Sequence, residues 1–162
     1  MAITTYLDYD EVRAALGVST NELDDTTLAL SLYDSGLTEE LEAISANLPG
    51  AYTTVAALTT RTAVQQRLFR MTRLFAIYAV AKQLLPGLPM FAPKDITDGK
   101  AAAGRFSNDP YKVTIDEVKK QYELNKQRLE DAFILYNSGS VITTLRTYVS
   151  VSNAGSDPVT GV

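Results

Sequence analysis

Apolar residues recur at helical spacing through most of the chain up to Tyr136, and the pattern changes character only beyond that point. Val12, Ala15 and Leu16 put one apolar face on a short segment from about Tyr9 to Leu16. Asp8 stands where an N-cap belongs, and Gly17 where a helix stops. Ser19 to Asp25 is a polar turn that offers Asp24 and Asp25 as further caps. Leu30, Tyr33, Leu37, Leu41, Ile44 and Leu48 then follow at steps of 3, 4, 4, 3 and 4. This spacing predicts one long helix, ended by Pro49-Gly50. Gly36 lies inside it, and an interior glycine costs about 1 kcal/mol against alanine, so a break at Asp34-Ser35-Gly36 is the alternative.

Ala51 to Thr60 is short and threonine-rich and reads as a connection. Thr59 or Thr60 can cap the next helix, Arg61 to Leu85. Its face is Val64, Leu68, Met71, Phe75, Tyr78 and Leu85, widened by Leu74, Ile77 and Ala81. So broad a stripe marks the most buried helix of the domain. Pro86-Gly87-Leu88-Pro89 stops it. Met90 to Pro110 has no period; it contains Pro93, Gly99, Gly104 and Pro110, with a turn signal at Asp98-Gly99. An unstructured loop of about twenty residues is unusual in a compact domain and is generally functional or mobile, although Gly99 to Phe106 can be helical. A last helix runs from near Thr114 or Asp116 to Tyr136, with Val118, Tyr122, Leu129, Phe133 and Tyr136 on one face and Asn137-Ser138-Gly139 as its end.

Beyond that helix the composition is that of a strand. Val141 to Val151 is rich in valine, threonine, isoleucine and tyrosine. A lone strand must satisfy its backbone somewhere. It can pack on the bundle, pair with the Ala51–Thr60 segment, or add to another chain. Val141, Ile142, Leu145, Tyr148, Val149 and Val151 are its candidate partner-binding residues. The expected fold class is therefore mainly α: a small helical bundle of three long helices plus a short N-terminal one, with a long loop and an extended, strand-like C-terminal arm. The expected division is residues 1–139 for the bundle and 140–162 for the arm.

Composition narrows the chemistry. The 162 residues contain neither cysteine nor histidine. Disulfides, thiolate chemistry, Ser-His-Asp and Cys-His sites are out of reach of this chain alone, and so is the usual base near neutral pH. Carboxylate or lysine catalysis stays formally open, but no residue pattern favours it, and neither an enzyme nor a cofactor is expected. Met1 to Tyr9 lacks the basic start and apolar run of a secretory leader. The most lipid-like stretch, Leu74 to Ala81, is bracketed by Arg73 and Lys82 and falls far short of the ~20 residues that span a bilayer. The expectation is a soluble chain made in the cytoplasm.

Charge is distributed unevenly. Residues 1–60 hold ten acids and one base, Arg13, while residues 61–93 hold five bases and no acid. Blocks of opposite sign can pair within a subunit or across a repeated contact. Arg61, Arg67, Arg70 and Arg73, read as one helix surface, and the acidic Glu39, Glu40 and Glu42 with Asp34 form the candidate charge face between subunits. The arginines could also meet DNA phosphate, although the net charge of −4 gives no general drive toward it. Leu16-Gly17-Val18-Ser19 has the look of a helix-turn-helix corner, but Glu22, Asp24 and Asp25 would repel phosphate there.

The order of features resembles the helical head–tail adaptor (connector, or head-completion) family of tailed bacteriophages. The resemblance lies in Tyr9-Asp10-Glu11-Val12-Arg13-Ala14-Ala15-Leu16-Gly17-Val18 followed by Glu22-Leu23-Asp24-Asp25, in the helix from Arg61 to Leu85, and in Ala92-Pro93-Lys94-Asp95-Ile96-Thr97-Asp98-Gly99-Lys100 leading to Arg105-Phe106. It spans most of residues 6–136, and Pro93, Lys94, Asp95, Asp98, Gly99 and Lys100 carry its most specific part. It implies a structural virion protein at the head–tail junction: a homo-oligomeric ring of roughly twelve copies, closed by rotation, below the portal protein. Such a ring extends the DNA channel without reading sequence and docks a tail or further connector protein, with no membrane involved. Family members use extended segments to grip the portal or a neighbouring subunit, and no catalytic residue comes with the family. The alternative is a DNA-packaging protein of small-terminase type, for which only the Arg61–Arg73 block could bind phosphate.

Overall fold

The computed structural model describes residues 3–91, 95–97, 102–104 and 111–139, and its architecture is a small, mainly helical bundle. A 3-10 turn at Ile3–Thr5 leads to α1 (Tyr9–Leu16), which begins and ends on the expected signals. The Glu11 carboxylate accepts from the Asp8 N–H at 2.9 Å. Gly17 closes the helix at φ 68°, a conformation glycine adopts without a Cβ clash.

The expected long helix through Leu48 is in fact three. α2 (Asp25–Leu28) is capped by Asp24, whose carboxylate accepts from the Thr27 N–H at 2.7 Å. That bond holds the Asp24 carboxyl below the usual aspartate range. α3 (Ser31–Ile44) and α4 (Leu48–Ala56) follow, separated by Ser45 to Asn47. Pro49 begins α4 instead of ending its predecessor, because the first turn of a helix has no use for the missing N–H. The segment from Ala51 to Ala56 is accordingly helical and not a connection. α3 runs unbroken through Gly36, where a Cβ would come within 2.7 Å of the Gln83 side-chain amide. The glycine lets α3 lie close against the helix that carries Gln83.

That helix, α5 (Ala63–Leu84), starts later than Arg61. Its cap is Thr62, not Thr59 or Thr60. The Gln65 N–H donates to the Thr62 hydroxyl at 3.3 Å and the Thr62 N–H to the Gln65 side chain at 2.9 Å, a reciprocal capping box. Leu68, Phe75, Ala76, Ala79, Val80 and Ala81 are all fully buried, so α5 is the central element. It ends at a 3-10 turn, Leu85–Gly87, followed by the one-turn α6 (Leu88–Phe91). Asp95–Thr97 (β1) then pairs antiparallel with Ala102–Gly104 (β2), Ile96 facing Ala103. The helical option for Gly99 to Phe106 is thereby excluded at residues 102–104. α7 (Lys112–Ser138) begins a few residues before Thr114 and stops at Gly139, φ 62°.

α7 lies along α5, burying Val118, Tyr122, Leu129 and Phe133 as the spacing predicts. α1, α3 and α4 pack on other flanks of α5. Tyr6 packs at a tilt against Tyr52, and Tyr52 stacks on Phe69, with ring centroids 4.8 and 5.4 Å apart. These rings join the N-terminal turn, α4 and α5. The arm residues Val141, Ile142, Leu145, Tyr148, Val149 and Val151 lie outside the described residues, as do Pro93, Lys94, Asp98, Gly99 and Lys100.

Candidate functional site

The charged residues expected to form one face divide into two groups. The first is engaged inside the chain. Arg61 precedes α5 and donates to the backbone carbonyls of Val55 and Ala56, both at 2.7 Å. It thus satisfies the carbonyls at the end of α4, and its guanidinium lies 4.2 Å from the centre of the Phe69 ring. Reading Arg61 as part of the helix surface is therefore incorrect; it is a clamp between α4 and α5. Arg73 pairs with Glu11 at 2.9 Å, tying α5 to α1.

Glu40 belongs to the same group. The Tyr122 hydroxyl donates to its carboxylate, and Lys82 approaches it at 3.7 Å while sitting 3.5 Å over the Tyr122 ring. One acid, one base and one phenol thus join α3, α5 and α7. Burial, and secondly the hydrogen bond to Glu40, push the Tyr122 phenol above its ordinary value. Below the unfolded-state value of about 10 the protonated phenol keeps this stabilising contact in full. As pH rises through that value the unfolded chain ionises first, and stability falls. Tyr6, Tyr33 and Tyr52 are raised in the same direction, chiefly by burial. Tyr122→Phe is expected to lower stability at neutral pH by about 1–2 kcal/mol and to flatten its decline above pH ~10. Urea unfolding across that range measures both effects.

The second group is exposed. Arg67 and Arg70 project from α5 with no acidic partner among the described residues, and Glu39 and Glu42 are exposed on α3. Beside Arg70, α5 and α1 form a groove of about 420 Å³ lined by Phe69, Met71, Leu74 and Ile77, with the Glu11–Arg73 pair at its edge. Leu74 there is 37% exposed. Another apolar feature stands at the corner between α2 and α3, where Leu30 and Leu32 are 52% and 68% exposed. Leu30 was expected to face the core. It is instead the residue before α3, and the turn at Ala29 rotates it outward.

Three buried polar residues among those described, Arg13, Thr72 and Asn125, escaped the sequence reading; the Thr72 hydroxyl donates to the Leu68 carbonyl at 2.9 Å. Arg13, the lone base of the first 60 residues, is 5% exposed and bonds the Leu23 carbonyl at 2.7 Å, Asp10 at 2.6 Å, and Asp25. Its isolation among acids was the available signal. Asn125 sits on the inner face of α7, its amide donating to the Gln121 carbonyl at 2.8 Å. Its place between Tyr122 and Leu129, at steps of 3 and 4 on the apolar face, was the available signal. Among the described residues no cluster of three or more His, Cys, Asp or Glu could hold a metal, and no helix is long and apolar enough to cross a membrane. Asp95 is the first residue of β1. No family model matches the chain, and neither a curated protein nor a solved structure matches it.

Proposed function

We propose that this chain is a structural assembly subunit, a head–tail adaptor that forms a ring below the portal of a tailed bacteriophage. The resemblance to that family, carried by three stretches that span most of residues 6–136, supports the reading, and the helical bundle is compatible with it. The observation that carries it furthest concerns the arm. Residues 51–56 belong to a segment with which the strand-like stretch Val141 to Val151 was expected to be able to pair, and they are helical. Packing on the bundle and strand addition to another chain are the outlets that stay open to that stretch, and the adaptor reading takes the second. The bundle serves as a scaffold, and the arm orders on the portal or on a neighbouring subunit.

Deletion of residues 140–162 is expected to leave the helical content and unfolding midpoint of the bundle nearly unchanged and to abolish incorporation into heads. Cross-linking mass spectrometry of virions should connect Lys94, Lys100 or the arm to the portal and to a tail protein. Normal incorporation of the truncated chain would remove the arm from the mechanism. Absence of the protein from virions would overturn the adaptor reading.

The packaging-protein alternative has one observation in its favour, the exposed Arg67 and Arg70, which have no acidic partner among the described residues. With Arg61, Arg73 and Lys82 engaged internally, the block that could meet phosphate is small. Salt-dependent binding of duplex DNA in a shift assay would move the reading there.

A further inference from the structure

The two exposed apolar features of the bundle differ in shape and in charge. At the α2–α3 corner, Leu30 and Leu32 are both exposed, and the exposed acids Glu39 and Glu42 follow Leu32 on the same helix. On α5, the groove lined by Phe69, Met71, Leu74 and Ile77 is concave; its Glu11 is paired with Arg73, while Arg70 lines it and Arg67 stands three residues earlier on the same helix, both exposed and without an acidic partner among the described residues. An exposed pair of leucines with acids meets the stated needs of a concave apolar surface with bases. Burying both would remove exposed apolar side chains from water and give the two arginines the acidic partners they lack among the described residues.

We propose that the α5 groove of one copy receives the Leu30–Leu32 corner of a second copy of this chain. The proposal rests on the ring-subunit reading above and names its contact surface. The corner does not line the groove within one chain, so the two patches are distinct. A contact between distinct patches is heterologous: each copy keeps one free corner and one free groove. Association therefore does not stop at a dimer. It propagates until a rotation closes it into a ring, or it extends as a filament. The arginine–acid component makes it weaken as salt rises.

The test uses the full chain and two variants. Leu32→Glu spoils the corner and leaves the groove; Leu74→Glu spoils the groove and leaves the corner. Both sites are exposed, so circular dichroism should show both variants folded. In analytical ultracentrifugation the unaltered chain is expected to form species larger than a dimer as concentration rises. Each variant alone should associate at least about thirtyfold more weakly, the loss typical of a central apolar contact. The decisive result comes from mixing the variants. One intact groove and one intact corner remain, so the mixture should form a 1:1 heterodimer and nothing larger.

An unaltered chain that stays monomeric at its solubility limit would overturn the proposal. So would variants that assemble like the unaltered chain, or a mixture that forms no heterodimer. None of these results would touch the adaptor reading, which stands or falls on the presence of the protein in virions and its cross-links to the portal.

Discussion

Phe75→Ala is expected to lower the stability of the bundle by about 3–5 kcal/mol, the range for emptying an aromatic site in a closed core. Phe75 lies midway along α5, is fully buried, and has its ring centre 5.4 Å from that of Tyr122 on α7. Truncation removes the transfer energy of the ring and leaves a cavity between the two longest helices, which bend little to fill it. Tyr122 also carries the Glu40 and Lys82 contacts, so a shift of its ring would loosen α3 as well. A domain of this kind has only about 5–15 kcal/mol in hand. The variant should therefore show a much lower urea midpoint with an unchanged slope. Leu30→Ala, at a site half exposed, should stay within about 0.5 kcal/mol. Equal losses for the two variants would contradict the placement of α5 at the centre.

Much of the fold was legible because its signals are local. Asp8 and Gly17 bracket α1, and the stripes of α5 and α7 identify the two helices that each supply more of the core than any other element. The stretch from Leu30 to Leu48 misled for a physical reason. Consecutive short helices that pack on one core can keep a 3–4 spacing across their turns. Tyr33, Leu37, Leu41 and Leu48 are all buried although Leu48 belongs to the next helix. Periodicity reports the burial and not the continuity. Pro49 has two meanings, a stop for the helix before it and a start for the helix after it, and only tertiary packing chose between them. The Thr62 and Gln65 spacing of a capping box was present in the sequence and would have moved the start of α5 past Arg61.

The candidate site was less legible than the fold. Charge blocks are visible in a sequence, but whether an arginine meets solvent or a carbonyl depends on a rotation of one or two residues. Arg67 and Arg70 stayed outside while Arg61 and Arg73 closed on the chain itself. The exposed corner at Leu30 and Leu32 was hidden by the same spacing that suggested a single helix.

Arg13 is where the loss of one polar side chain should cost most. Arg13→Met keeps the length and apolar character of the stem but removes the guanidinium. Its two carboxylate partners are largely exposed, with side chains of Asp10 and Asp25 at 87% and 67% accessibility. Water can take over their solvation, so the ion pairs contribute little, about 0–1 kcal/mol each. The Leu23 carbonyl is different. Leu23 is 1% exposed, and the hydrogen bond from the Arg13 Nε to its carbonyl is buried. An acceptor left there without its donor costs about 1–3 kcal/mol, and the loss of the fork also releases the turn that carries Asp24, the cap of α2.

The expected result is a loss of about 2–3 kcal/mol for Arg13→Met, under 1 kcal/mol for Asp10→Asn, and little recovery with Arg13→Lys. A lysine offers a point charge without the planar fork that reaches three acceptors at once. Hydrogen exchange should localise the damage, with faster exchange from Leu23 to Leu28 and the α5–α7 pair protected as before. If Asp10→Asn proved as costly as Arg13→Met, the charge pair and not the buried carbonyl would be what fixes α1 against α2. The lone base in an acidic segment would then be held there by its charge. The result expected here is that it is held by its shape.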